Sequence, residues 1–377
     1  MQATHQNKFD MLRGVASIAV LIPHAAAVFL YRFLGPDHPL ALAGGTIARH
    51  AVLVFFLLSG FLITLSIVTN VYRNGRLDVA EYLAARIARI YPPLVGAIVI
   101  VLVAFAIIHG LGLPGANRYG QPGDLYAVRE QFTVKAKDVL LALLMQNGML
   151  DADGPLWSLY IEFHLYIFAL FAAIAVTATG VVKRLAAAIV AIVLVAWWIR
   201  RDTQFVFYLA VWGLGAALSI WRAQAERFKT IFAALAGAGL AVHLVLLAIA
   251  PGMLVVEKPS VWASFGLQFV ACIAYMYAIF FASWGQQPTS WLIRSGDYSY
   301  SLYVIHFPLL LLVLSLTQTW MGDSLWKAYA VAAVATVGVI ATSSAFANFF
   351  ENQRRFKPHI RNAINFILRT RGRPATT

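Results

Sequence analysis

The chain has 377 residues, 61% of them hydrophobic and only 12% charged, with a mean hydropathy of +0.75. Soluble domains carry roughly a quarter charged residues, so a soluble enzyme is excluded. The single cysteine, Cys272, excludes a disulfide framework and a CxxC metal site. With 29 Lys and Arg against 16 Asp and Glu, the formal charge is +13; in a membrane chain this speaks to orientation and lipid contact, and no nucleic-acid partner is expected.

Apolar runs of about 20 residues can cross the hydrocarbon core of a bilayer. Ten occur, at about 11–34, 50–70, 91–110, 157–180, 185–199, 205–221, 230–250, 260–283, 297–319 and 327–349. Residues 138–150 (DVLLALLMQNGML) are apolar but too short to cross, and are expected to form a re-entrant or surface helix. The expected fold is all-α: a polytopic bundle of ten transmembrane helices over 1–350, followed by a basic cytoplasmic tail, 351–377. A cytoplasmic N-terminus places 19 of the 29 Lys and Arg on the cytoplasmic side, and an eleventh span would expel the basic tail. Both termini are therefore expected in the cytosol. The first run is longer than a signal peptide's apolar core and no small-residue cleavage site follows, so it is expected to be a retained span. The loop at about 111–137, rich in Gly, Pro and polar residues, has room to meet a substrate outside. In the tail, Phe356, Ile360, Ile364 and Ile367 are spaced like an interfacial amphipathic helix facing membrane lipid, and no attached soluble domain is expected.

Ionisable side chains inside spans are costly, so each is a functional candidate. Arg13 and His24 are 11 residues apart, about three turns plus 20°, so they share a helix face with a rise of about 16 Å. Arg13 falls at the cytoplasmic edge and His24 near the bilayer middle, beside Pro23, which removes a backbone donor and is expected to bend the helix. Arg13 alone reads equally as a snorkelling residue. Glu162, in GPLWSLYIEFHLYIF, is expected roughly 7–8 Å below the outer edge, counting from Trp157 as an interface anchor. At that depth His24 is its expected partner, the carboxylate fixing the imidazole tautomer. His164 lies about 200° round the helix from Glu162 and is expected to face another neighbour. His306, in YSYSLYVIHFPLL one turn after Tyr303, is about 13 Å deep, and catalytic and interhelical readings both stand. Arg86 and Arg89 share a face just before the third span; guanidinium forks suit phosphate, and positive-inside orientation explains them equally well.

FDMLRG…PHAAAVF, FFLLSGFLIT, ARIARIYP, WSLYIEFHLY and YSYSLYVIHFPL, in that order, resemble the motifs of the membrane acyltransferase 3 family over nearly the whole chain. The resemblance implies an O-acyltransferase of the bacterial inner membrane. It would move an acyl group, acetyl first among them, from cytosolic acyl-CoA to a hydroxyl of a cell-surface or exported polysaccharide or lipid-linked sugar. His24 and Glu162 are then the catalytic candidates, and Arg13, Arg86 and Arg89 the residues that bind acetyl-CoA or another acyl-CoA. Ser59, Trp157, Ser158, Tyr303 and His306 are supporting candidates, Ser59 reading also as helix packing. Phe163 stands where many members carry a second acidic residue, and His164 where Gln is common. No fused extracytoplasmic domain is expected, so transfer would finish on the membrane domain. No metal is called for: a base near neutral pKa can deprotonate a hydroxyl while donors hold the oxyanion. His24 either acts so or carries the acyl group itself. The rival reading is a proton-coupled transporter of a small molecule or glycan precursor, which predicts inverted repeats that the sequence does not display.

Overall fold

The computed structural model describes residues 3–35, 38–113, 132–202, 204–221, 227, 229–249, 261–281 and 290–370. Among the described residues all regular structure is helical. The elements are α1 (Ala3–Phe29), the single turn α2 (Tyr31–Leu34), α3 (Pro39–Asn74), α4 (Val79–Gly110), the short α5 (Ala136–Leu143), α6 (Leu156–Thr177) and α7 (Val181–Arg201). Then come α8 (Gln204–Ile220), α9 (Lys229–Ile249), α10 (Val261–Phe280), the short α11 (Ser290–Asp297), α12 (Ser299–Met321), α13 (Leu325–Phe350) and α14 (Gln353–Thr370). Among the described residues, seven segments are long and apolar enough to cross a membrane, in α1, α3, α4, α6, α7, α12 and α13. The expected runs at 205–221, 230–250 and 260–283 coincide with α8, α9 and α10, which carry shorter apolar stretches. The protein is an all-α polytopic membrane protein.

Local chemistry sets the helix ends. His38 accepts from the Leu40 backbone N–H at 3.2 Å as the N-cap of α3, whose first residue is Pro39. Gly75, in the left-handed region at φ 67°, ends α3. Asp78 caps α4 by accepting from the Glu81 N–H at 2.9 Å. Helices α1, α4 and α12 each run through internal prolines, Pro23, Pro92 with Pro93, and Pro308.

Helix α12 is the most enclosed span; Leu302, Val304, Ile305, Ser301 and Leu310 are all fully buried. By contrast α7 exposes Leu185, Ile189, Ile192 and Val193, apolar side chains that suit lipid rather than water. Close backbone approach joins α3 to α8: a Cβ on Gly60 would lie 2.0 Å from the carbonyl oxygen of Trp212, and one on Gly215 would lie 2.1 Å from that of Leu57. Small residues at a helix crossing allow such contact, the main attraction left between helices in lipid.

The segment after the expected outer loop positions the site. Residues 114–131, most of that loop, lie outside the described residues. The His109 ring donates to the Phe132 carbonyl at 3.0 Å near the end of α4, and Tyr91 donates to the Leu143 carbonyl at 3.2 Å. His109 and Tyr91 are about 27 Å apart along α4 at 1.5 Å per residue, so residues 132–143 run deep into the bundle. The chain then reverses through Met145, Asn147 and Met149, all at positive φ, with Gly148 between them so close to α5 that a Cβ would meet the Asp138 carbonyl oxygen at 2.1 Å. Met145, Met149 and Ala152 are buried. The segment is re-entrant, and α6 consequently begins inside the protein.

The tail forms α14, which packs along the start of α4. Lys357 pairs with Glu81 at 2.5 Å, and Arg361 with Glu81 at 3.1 Å and Asp78 at 3.3 Å. Its basic face is thus partly spent on this chain's own carboxylates rather than on lipid alone.

Candidate active site

Helices α1, α3, α4, α6 and α12, with the first residue of α14, enclose a cavity of about 220 Å³. Arg13, Ser59, Arg86, Arg89, Ser158, Glu162 and Tyr303 all line it. Three buried polar atoms on this wall, Arg13 Nε, Arg86 Nε and Ser59 Oγ, have no hydrogen-bond partner among the described residues. Buried donors are normally satisfied, so a wall with three orphans suits a polar guest. Gly60 makes the helix contact with α8 while its neighbour Ser59 faces the cavity, which separates the two readings of that pair.

Each arginine is held by the helix that carries it and by its neighbours. Arg13 forms an ion pair with Asp10, one turn earlier on α1. The Arg86 guanidinium lies 5.8 Å from the ring of Tyr82 and 5.6 Å from that of Tyr166. Arg89 lies 5.8 Å from the Tyr300 ring and within electrostatic range of Glu162 and Glu351. Aromatic faces hold a guanidinium without consuming its hydrogen-bond donors, which leaves the forks available for phosphate.

Glu162 lies at this arginine end, not level with His24. Its Oε1 accepts from the Tyr166 hydroxyl at 2.5 Å, four residues on along the same face. Tyr303 gives the scale: its hydroxyl donates to the Pro155 carbonyl at 3.0 Å and lies 2.5 Å from Ser158 Oγ. From that shared level α6 carries Glu162 one way while α12 carries His306 the other, an axial separation of roughly 10–15 Å. The depth counted from Trp157 fails because α6 starts below the outer surface. Trp157 accordingly packs on Tyr208 of α8, with ring centroids 5.2 Å apart, instead of marking the interface.

His24 meets His306. Nδ1 of His24 lies 2.7 Å from Nε2 of His306, the two rings are parallel to within 3°, and the Phe307 ring stands edge-on to His24 at 5.5 Å. His306 is 1% exposed, and its Nδ1 lies 3.0 and 2.9 Å from the carbonyl oxygens of Leu302 and Tyr303. The Tyr303 ring, 6.1 Å from that of His306, is the link between the dyad and the cavity wall. His164 faces away from this site, as its position round α6 implies: Nδ1 donates to the Tyr160 carbonyl at 2.6 Å, and its ring packs 4.2 Å from Trp198.

The sequence reading missed Tyr166, Tyr300 and Gln353 of the wall, and Glu351, which lies within electrostatic range of Arg13 and Arg89 without lining the cavity. Tyr166 was within reach, since it follows Glu162 by one helical turn. Glu351 is the lone acid in a stretch of arginines, a signal masked by reading the tail as a membrane-surface helix. Tyr300 and Gln353 carry no comparable mark.

The family profile described as an acyltransferase domain, of the acyltransferase 3 type, matches residues 6–347. The chain belongs to the acyltransferase 3 family. It is 31% identical to Protein 2 in picA locus of Rhizobium radiobacter over 190 residues, 49% of this chain and 90% of that protein. It is 27% identical to Nodulation protein 10 of Rhizobium leguminosarum bv. viciae over 180 residues, so the matched part spans 43% of this chain and 43% of that relative's length. No solved structure matches the chain. Within the family assignment the protein is an integral-membrane acyltransferase. The acyltransferase 3 match runs from α1 into α13 and contains Arg13, His24, Arg86, Arg89, Glu162 and His306, whereas Glu351 and Gln353 lie just beyond it.

Proposed function

We propose that this acyltransferase takes an acyl group, acetyl in the simplest case, from cytosolic acyl-CoA and delivers it to a hydroxyl of a glycan or lipid-linked sugar at the inner membrane of a bacterium. The observation that carries this reading is the cavity itself. It gathers Arg13, Arg86 and Arg89 at one end, leaves two of their Nε atoms and Ser59 Oγ unsatisfied, and reaches at Tyr303 the neighbour of the His24–His306 pair. Arginine forks bind phosphate bidentately, which fits the phosphate-rich end of CoA. At about 220 Å³ the space is smaller than the roughly 300–1,000 Å³ of sites that enclose whole drug-sized ligands. It therefore receives the acyl end, with the nucleotide at the arginine mouth beneath α14.

The transfer needs a base and a charge-stabilising wall. His24 takes the proton of the acceptor hydroxyl, the hydroxyl oxygen bonds to the thioester carbonyl carbon, the carbon–sulfur bond breaks, and the departing thiolate recovers the proton. Ser59 Oγ, without a hydrogen-bond partner among the described residues, is the hydroxyl donor available to an oxyanion, while Ser158 and Tyr303, bonded to each other and to the Pro155 carbonyl, frame the inner cavity. Glu162 acts at the other end, keeping Tyr166 and Arg89 in place. The test is transfer of labelled acetyl from acetyl-CoA by the purified protein in proteoliposomes. Label must appear in a lipid-linked sugar or polysaccharide acceptor and vanish in Arg13→Ala. Acetyl-CoA consumption without label in any sugar acceptor would overturn the acceptor class, and no consumption would overturn the donor.

A further inference from the structure

We infer that His306 is the positioning residue of this site: it sets the tautomer of His24 and replaces, with a neutral imidazole, the carboxylate that commonly orients a catalytic histidine. The inference rests on His24 being the base proposed above. It begins from the two carbonyl oxygens, of Leu302 and Tyr303, that lie 3.0 and 2.9 Å from Nδ1 of His306. A carbonyl only accepts, so Nδ1 of His306 carries a proton. A neutral imidazole has one N–H and one lone pair, which makes Nε2 of His306 an acceptor. That atom lies 2.7 Å from Nδ1 of His24, so Nδ1 of His24 is the donor and Nε2 of His24 keeps the lone pair.

The geometry agrees with an in-plane hydrogen bond. The ring centroids are 5.1 Å apart and the planes parallel to within 3°. That separation is the 2.7 Å nitrogen–nitrogen distance plus about one ring radius at each end, so the rings meet edge to edge and the N–H points along the partner's lone pair. The opposite tautomer would point the Nδ1 lone pair of His306 at two carbonyl oxygens 3.0 and 2.9 Å away, a repulsive contact that burial keeps water from relieving.

The consequence for catalysis is specific. When Nε2 of His24 takes the acceptor's proton, the imidazolium formed still donates Nδ1–H to His306, and the positive charge is shared across the dyad. A carboxylate would do this more strongly but would place a permanent charge at mid-depth in the bundle, where an unpaired ion is expensive. His306 orients at lower cost, being locked by its own helix carbonyls and by burial.

The test compares His306→Gln, whose side-chain carbonyl can still accept from His24, with His306→Phe, which keeps a ring but no acceptor. Acetyl transfer is measured in proteoliposomes beside His24→Ala. His306→Phe should lose roughly 10²–10⁴-fold in kcat, the range of a general-base contribution, with KM for acetyl-CoA little changed, and His306→Gln should recover most of it. Equal losses in Gln and Phe variants of wild-type thermal stability, or full activity in Phe, would overturn the dyad while an inactive His24→Ala leaves the base reading intact. An active His24→Ala would remove that reading instead. Should His306→Phe fail to fold, nitrogen-15 spectra of histidine-labelled protein in lipid, assigned by loss of the His24→Ala signals, decide the tautomer. Protonated Nδ1 and bare Nε2 at His24 are expected, and the reverse assignment would overturn the inference.

Discussion

Glu351, the residue just after α13, accepts both the backbone N–H and the hydroxyl of Ser301 in α12, at 3.0 and 2.8 Å. The same carboxylate lies within electrostatic range of Arg13 and Arg89. One acid thus ties the end of α13 to the start of α12 and balances two of the three cavity arginines. Glu351→Ala should lower the thermal midpoint in detergent, since hydrogen bonds to a charged group are worth about 1.5–3 kcal/mol. It should also raise KM for acyl-CoA as the arginines lose their counter-charge. An unchanged midpoint and KM would show that the contact does neither.

The double variant Arg86→Ala with Arg89→Ala should raise KM for acyl-CoA at least tenfold, at about 1.5–3 kcal/mol for each lost charged contact. KM for the sugar acceptor should move far less. Steady-state kinetics with each substrate varied in turn decide it, and equal shifts in both constants would return these arginines to a role in membrane orientation alone.

Ser59 and Gly60 should part company. Gly60→Ala sets a methyl 2.0 Å from the Trp212 carbonyl oxygen, so α3 and α8 must separate and folded yield should fall. Ser59→Ala removes a buried hydroxyl that has no hydrogen-bond partner among the described residues, so stability should hold or rise while transfer slows. Thermal unfolding and acetyl transfer on the two variants check this, and a Ser59→Ala protein as unstable as Gly60→Ala would contradict it.

The ion pairs of α14 with α4 should behave as a charge network. Glu81→Lys should loosen the tail, read as faster cleavage by trypsin around Arg354 and Arg355, and adding Lys357→Glu should restore protection. Exposed pairs are worth only about 0–1 kcal/mol singly, so the double exchange, more than either single change, carries the test.

The spans were legible because lipid demands long apolar runs, and the candidate residues because an ion inside such a run stands out. Spacing put Arg86 and Arg89 on one face and the family resemblance set Arg13 beside them; all three line one cavity. Depth was not legible. Residues 138–150 have the composition of either a surface or a re-entrant helix, and only the Tyr91–Leu143 hydrogen bond shows how far they descend. That descent lowers Glu162 to the arginines and leaves His306, which the sequence held open between catalytic and interhelical roles, as the partner of His24. Pairing between helices 282 residues apart in sequence depends on bundle packing, which no local pattern encodes.

The most direct measurement is acetyl transfer by His24→Ala in proteoliposomes, with acetyl-CoA binding measured on the same preparation. Because Arg13, Arg86 and Arg89 line the cavity proposed for the donor and His24 lies beyond Tyr303, the variant should bind acetyl-CoA with near wild-type affinity and transfer nothing detectable to the sugar acceptor. Transfer at close to the wild-type rate by a folded His24→Ala protein would contradict the assignment of His24 as the base.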